Sequence, residues 1–307
     1  FRFDYAYHQM AGAPGIDNHF FSLSYGINPI KKNVERLIAT PDKLVTTESA
    51  VDVKGTAIDT AIKSLQINGL KVQMTPKGAF LLTVSLPIGK NTILVEGLDR
   101  QGKVLVSKKL RILRLVTYPD VASDYWASKQ ISYIGSLGLI KGYPDGNFKA
   151  GGNITRAELS ALLIRTQSGG DQNVPAATGK VFKDVTLAHW AVKYVNQAAK
   201  ASIVTGYPDK TFKPAANITR AEGLSMIARF GGVKQIPYTG QFQDIATNHW
   251  AAPLIAGANN EGMLQFLTGK PFEDKKKLER SEAVEMLYQS QPVKLQITDL
   301  LNFDKGY

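Results

Sequence analysis

The chain has 307 residues, with 37 Lys+Arg against 26 Asp+Glu, four histidines and no cysteine. The lack of cysteine excludes disulfide scaffolds, thiolate metal sites and cysteine nucleophiles. No run approaches the roughly 18 apolar residues of a membrane-spanning helix.

An apolar content of 44% and a charged content of 21% are those of an ordinary globular protein, and the length fits two or three domains. The net charge of +11 invites a nucleic-acid reading, but it is divided as −1 over 1–30, +8 over 31–115, +4 over 116–290 and 0 over 291–307. No motif that reads RNA or DNA accompanies it. A solvated basic face, or one lying near an anionic envelope polymer or lipid headgroup, accounts for it as well. The chain opens on Phe1 without a signal-peptide pattern and is read as a mature chain or a fragment of a longer one.

Residues 1–30 read as a β-hairpin. Phe1, Phe3, Tyr5 and Tyr7 alternate with Arg2, Asp4, Ala6 and His8, and Phe21, Leu23, Tyr25 and Ile27 alternate with Ser22, Ser24 and Gly26. Period-two alternation rich in aromatics is a strand signal. Aromatic residues on one face and small or polar ones on the other also mark membrane barrels, and these phrases resemble the closing strands of bacterial outer-membrane barrels. That resemblance implies association with an outer membrane. An edge hairpin of a soluble sheet stands beside it as an equal reading.

After a charged linker at 31–36, residues 37–115 show short strands cut by turn residues. The expected strands are Val51–Thr56, Ser64–Ile67, Ala79–Leu86, Asn91–Leu98 and Val104–Leu113. Asn68-Gly69, Pro76-Lys77-Gly78 and Arg100-Gln101-Gly102 supply turns, and the spacing predicts a small β-sandwich. The stretch resembles bacterial immunoglobulin-like modules, which implies a rigid spacer.

Residues 116–290 hold three copies of one unit, at 116–168, 180–231 and 240–290, followed by a tail at 291–307. Ile154-Thr155-Arg156-Ala157-Glu158 returns as Ile218-Thr219-Arg220-Ala221-Glu222 and, more weakly, as Leu278-Glu279-Arg280-Ser281-Glu282. Trp126, Trp190 and Trp250 each lie 30 residues before the arginine, and Asp120, Asp184 and Asp244 each lie six before the tryptophan. Such a repeat fixes the architecture before any local reading.

Within each unit the aspartate precedes an expected helix of about 15 residues with the tryptophan on its apolar face. A loop with Gly142-Tyr143-Pro144-Asp145 or Gly206-Tyr207-Pro208-Asp209 follows, turned by the proline and aspartate. Thr155 with Glu158, and Thr219 with Glu222, then form capping boxes. Capping does not call for the arginine between them, and a cation in a first turn is mildly unfavourable. A bound partner for Arg156 and Arg220 is therefore expected.

These four motifs, recurring in order, resemble the S-layer homology domain. The resemblance implies a pseudo-trimer of repeats, mainly α-helical, with grooves between neighbours that bind anionic cell-wall polysaccharide or peptidoglycan-linked polymer, commonly pyruvylated. It implies that Arg156, Arg220 and Arg280 hold a carboxylate, for which a guanidinium fork suits better than an ammonium. It also implies that Asp120, Asp184 and Asp244 accept hydroxyls or fix the arginine, and that Trp126, Trp190 and Trp250 offer apolar surface. Gly142, Tyr143, Gly206 and Tyr207 would let backbone and hydroxyl approach the sugar.

Structural roles stand beside these. Core packing is the stronger reading of the tryptophans, capping an equal one for the aspartates, and ligand binding the stronger one for the arginines. In the third unit Phe266-Leu267-Thr268-Gly269 replaces the Gly-Tyr-Pro-Asp turn, so one or two competent grooves are expected rather than three.

The expected architecture is therefore multidomain: an N-terminal β-hairpin, an immunoglobulin-like β-sandwich, then the helical pseudo-trimer. No carboxylate pair stands out as the acid and base of a glycosidase. His8, His19, His189 and His249 lack metal-ligand spacing, and no phosphate-cradling loop appears. A non-catalytic envelope anchor without metal or cofactor is expected. A lattice-forming protein–protein module is the alternative, and the sequence leaves the oligomeric state open.

Overall fold

The computed structural model describes residues 35–307, together with the backbone pairing of two strands nearer the start of the chain. Those two, β1 (Phe3–Tyr7) and β2 (His19–Leu23), are antiparallel, with Phe3 opposite Leu23 and Tyr7 opposite His19. They make the expected hairpin. The side-chain alternation behind the barrel reading lies outside the described residues.

The sandwich has eight strands: β3 (Leu37–Thr40), β4 (Leu44–Thr46), β5 (Ala50–Ala57), β6 (Ser64–Ile67), β7 (Leu70–Val72), β8 (Ala79–Ser85), β9 (Gly89–Leu98) and β10 (Val104–Arg114). One sheet runs β4-β10-β9-β6-β7 and the other β3-β5-β8. Alternate residues point inward, so that Leu37, Val53, Leu65, Ile67, Ile93, Val95, Leu110 and Ile112 fill the space between them. The β6–β7 turn is Asn68-Gly69, both at positive φ (49° and 79°), as the tightest hairpin turns require. Strands β3, β4 and β7, of three or four residues, were not among the expected strands; β6, equally short, was marked by the Asn68-Gly69 turn that follows it.

The helical region contains α1 (Ser128–Ser136), α2 (Arg156–Ser168), α3 (Val192–Lys200), α4 (Arg220–Gly231), α5 (Ala252–Asn260), α6 (Arg280–Gln289) and α7 (Gln291–Leu300). The outer helices α1, α3 and α5 have nine residues each, not about 15. The tryptophans fall two residues before them, in the turn that enters each helix.

Helices α2, α4 and α6 stand at the centre, and each outer helix packs on the central helix of the preceding repeat: α3 on α2, α5 on α4, α1 on α6. A closed backbone ring locks the three repeats together. Ile154 N–H donates to the Leu278 carbonyl at 2.9 Å, Leu278 N–H to Ile218 at 2.9 Å, and Ile218 N–H to Ile154 at 3.1 Å.

The first-turn N–H groups of an α-helix have no partner within it, and here the next repeat supplies one. Arg156 and Ala157 donate to Ala216 and Pro214, Arg220 and Ala221 to Lys276 and Asp274, and Arg280 and Ser281 to Gly152 and Ala150, all between 2.7 and 3.1 Å. Each turn so formed ends on a phenylalanine, Phe148, Phe212 or Phe272, that is wholly buried.

Residues 291–307 are a structured clamp. The Gln296 side chain donates to the Thr166 carbonyl at 3.1 Å, tying α7 to the end of α2. The Lys90 ammonium of β9 donates to the carbonyls of Asp299, Asn302 and Lys305 at 3.1, 3.2 and 2.6 Å, and lies over the Tyr307 ring. A cation placed on C-terminal carbonyls is favoured by the helix dipole. Arg111 of β10 reaches both Asp42 (2.6 Å) and Asp304 (2.9 Å), and its hydrogen bond holds the Asp42 carboxyl down to about 2.

Replacing Lys90 by alanine is expected to release the end of the chain without unfolding either half. Three charge-assisted bonds are lost, each worth roughly 1.5–3 kcal/mol before solvent competition. Hydrogen exchange of amides 299–307 should then accelerate at least tenfold, with the β9 and α2 amides unchanged. Unchanged exchange at 299–307 would show that the lysine does not hold the clamp.

Candidate ligand grooves between the repeats

The capping boxes form as the sequence indicates. Thr155 N–H donates to Glu158 Oε2 at 2.8 Å while Glu158 N–H donates to Thr155 Oγ1 at 3.2 Å, and Thr219 and Glu222 repeat the exchange at 3.0 and 3.3 Å. The second oxygen of each glutamate accepts from a loop tyrosine, Tyr143 at 3.4 Å and Tyr207 at 3.2 Å. Burial, opposed in part by the neighbouring arginine, pushes both tyrosine hydroxyls above their ordinary range, so each stays a donor.

The three aspartates prove to be loop clamps. Asp120 Oδ1 and Oδ2 accept from the N–H groups of Phe148 and Lys149, Asp184 from Phe212 and Lys213, and Asp244 from Phe272 and Glu273, all at 2.6–2.9 Å. Burial works against the charge on Asp184 and Asp244, but the two backbone donors outweigh it and hold both below the usual carboxylate range. All six carboxylate oxygens are thus engaged by the loops.

The arginines sit between repeats and are buried, at 6%, 1% and 5% exposure for Arg156, Arg220 and Arg280. Arg156 Nε donates to the Phe212 carbonyl at 2.8 Å and Nη2 to Thr205 at 3.1 Å, with its guanidinium 4.7 Å from the Phe212 ring and 4.9 Å from that of Tyr207. Arg280 does the same on repeat one, with Phe148 at 2.9 Å, Lys141 at 3.3 Å and the rings of Tyr143 and Phe148. In both, Nη1 bonds to no described residue and is not sealed from solvent.

Arg220 differs. Leu267 stands where the others meet a tyrosine, so no phenol reaches Glu282. Arg220 takes that place, donating to Glu282 Oε1 at 2.6 Å, with Glu273 at 3.3 Å and the Phe272 carbonyl also bound. All three of its nitrogens are engaged, Nε reaching Glu282 Oε2 at 3.4 Å as well.

The preference for the tryptophans as core residues is overturned. Trp126, Trp190 and Trp250 are 45%, 54% and 61% exposed, because each lies in a turn before its helix, off the apolar face. Residues Arg156 of repeat one, Gly206 and Tyr207 of repeat two, and Trp250 of repeat three line one open groove of about 430 Å³. Ser225, Arg229 and Lys275 share it; Ser225 and Lys275 carry no repeat signature, and Arg229 recurs only once, as Arg165 of repeat one. A larger cavity of about 740 Å³ lies inside repeat three, behind Thr268 and Gly269, and is not between repeats.

The threefold relation places the other signature residues correspondingly, Arg280 with Gly142, Tyr143 and Trp190, and Arg220 with Leu267 and Trp126. In the last set Trp126 stacks on Phe266, with ring centroids 5.4 Å apart and planes at 15°. The altered turn of repeat three therefore lays a ring against one face of the indole, at a position where the other two repeats have Gly142 and Gly206.

Residues 117–160 and 181–222 match the model of the S-layer homology domain. The helical half carries S-layer homology repeats. The third unit lies outside that match, as its altered turn leads one to expect, yet it has the same helices, ring bond and aspartate clamp. Residues 36–113, the sandwich, match the family described as glucodextranase, domain B.

Among curated relatives, a cellulosome-anchoring protein of Acetivibrio thermocellus is 34% identical over 46% of this chain and 32% of its own length. A surface layer protein of Brevibacillus choshinensis is 31% identical over 57% of this chain and 16% of its own. A protein named exoglucanase XynX, also of A. thermocellus, is 26% identical over 65% of this chain and 20% of its own. The chain spans a third or less of each of these relatives.

Truncating Arg220 removes the buried partner of Glu282 and leaves it the half-exposed Lys276 and the Glu279 N–H, both at 3.2 Å, and taking away one member of a buried charge pair is costly. Arg220→Ala is expected to destabilise the repeats by about 3–5 kcal/mol, and by more than Arg156→Ala, which strands carbonyls but no buried charge. Urea unfolding checks the order. Equal losses would show that the Glu282 pair is not the difference.

Proposed function

We propose that this chain is a non-catalytic anchor of the cell envelope that binds an anionic wall polysaccharide, or a polymer linked to peptidoglycan, in the grooves between its repeats. One observation carries the reading. Arg156 is held rigidly by two carbonyls and two aromatic rings, yet keeps Nη1 unpaired at the edge of a groove lined by the exposed indole of Trp250.

A planar cation fixed in place, with donor capacity to spare, suits a carboxylate. An open indole suits the apolar face of a sugar ring. Together they fit an acidic glycan, a pyruvyl ketal being one acid of the right kind. The S-layer homology repeats and the relatives named as anchoring and surface-layer proteins support a place at the cell envelope. They support an anchoring role in the same way, while the match to a protein named as an exoglucanase puts such a region beside catalytic parts in other chains.

The aspartates and the two glycines serve this reading indirectly. Asp184 fixes the turn that carries Tyr207, and Gly206 lies where a Cβ would strike the Phe182 ring and the Thr211 carbonyl.

Trp250→Ala removes an exposed ring and should leave unfolding unchanged, so it separates binding from stability in a way that arginine variants do not. Sedimentation with sacculi of the source organism should capture the wild type, and Trp250→Ala should reduce capture at least fivefold, the size expected for about 1 kcal/mol of aromatic contact. Sacculi stripped of wall polymer should capture neither. A folded wild type that ignores untreated sacculi would sink the anchor and favour protein–protein assembly.

A further inference from the structure

Three copies of one groove, built on one scaffold, allow each to be compared with the other two. Taking the signature positions as fixed, the residue nine places after each arginine is Arg165 in repeat one, Arg229 in repeat two and Gln289 in repeat three. All three lie in the last turn of a central helix.

Arg165 is ion-paired within the protein. Its Nε donates to Asp171 at 3.0 Å and its Nη2 to the Tyr194 hydroxyl at 3.3 Å, with the guanidinium 4.9 Å from the Tyr194 ring. At the position of Tyr194 repeat three has Leu254, and at the position of Asp171 the segment following repeat two has Gln235. The Arg229 side chain accordingly has no ion pair, hydrogen bond or ring contact among the described residues. It is exposed, and it lines the same groove as Arg156, Lys275 and Trp250. The acids of that groove are occupied, Glu222 by Thr219 and Tyr207, and Asp274 by His249 at 3.3 Å.

The third groove lacks the cation. Gln289 donates to Glu285, a buried carboxylate standing where repeat two has Ser225. Arg220 is neutralised by Glu282 and Glu273, and one face of Trp126 is stacked on Phe266.

We infer that the groove between repeats two and three is the principal anion seat of this chain, and that Arg229 is its second guanidinium, selecting an acidic saccharide that engages Arg156 and Arg229 together. This rests on the glycan-binding reading above. A guanidinium without an internal partner is free to pair with a ligand's acid, whereas Arg165 would first have to give up Asp171. A volume of about 430 Å³ is within the range of sites for small ligands, so a short stretch of polymer fills it.

The test compares Arg229→Gln with Arg165→Gln in the full chain, using polymer-bearing sacculi of the source organism and the wild type as reference. Both substitutions keep a good helix former, and thermal unfolding confirms that each variant is folded. Arg229→Gln is expected to weaken binding about tenfold, the effect of one charge-assisted hydrogen bond, and Arg165→Gln to bind as the wild type does. Binding by Arg229→Gln equal to wild type, where wild-type binding is itself established and falls with Trp250→Ala, overturns the role of Arg229 and leaves the anchor standing. Equal weakening by both variants also overturns it, since two grooves then share the ligand. Failure of the wild type to bind overturns the anchor itself.

Discussion

Everything in the helical half depends on how the first turns of three central helices find partners for their backbone N–H groups. The capping box satisfies the N-cap and third positions, but the first and second donors of each helix remain. They are taken by carbonyls of the next repeat, in a sense of rotation that returns from repeat three to repeat one. Leaving such donors buried and unpaired costs about 1–3 kcal/mol each, so no repeat is complete alone. An open solenoid leaves its end repeats to be capped. Here the ring of Ile154, Leu278 and Ile218 closes the array, and the pseudo-trimer has no ends.

That closure decides where the turns lie, and the turns decide the grooves. A carboxylate clamps the two N–H groups at the end of each turn, a buried phenylalanine seals it from below, and an arginine from the preceding repeat crosses the seam to its carbonyls. The arginine is therefore both a staple and, in two repeats, a surface. Rigidity of this kind is what a binding group needs, because a side chain already immobilised loses little entropy when a ligand arrives. Repeat three keeps the staple and gives up the surface: one tyrosine becomes Leu267, its glutamate turns to Arg220, and the cation is neutralised from within.

The clamp formed by α7 and the end of the chain joins the sandwich to the bundle. Lys90, Arg111 and Asp42 hold a segment that follows the last repeat, while Leu113 and Leu115, at the end of β10, enter the core of the helical half. The connection from sandwich to repeats is thus made twice, by the chain itself and by the returning tail. A pull on the sandwich is shared between the two.

The repeat register, the capping boxes, the Asn68-Gly69 turn and the divergence of repeat three were legible in the sequence, because each depends on residues close together along the chain. Five of the sandwich strands were legible for the same reason, as period-two runs between turn residues. Tryptophan exposure was not. An indole two residues ahead of a helix looks, in one dimension, like part of its apolar face, and only the path of the entering turn sets it outward. Nor could the sequence show that Arg156 reaches Phe212 and Tyr207 of the next repeat, that Lys90 meets three carbonyls more than 200 residues away, or that Arg229 is unpaired while Arg165 is not. Local sequence determined which units this protein is made from. Which donors and charges are spent between units, and which are left unpaired, was decided by the closing of the ring, since pairing across a seam depends on distances that no spacing along the chain records.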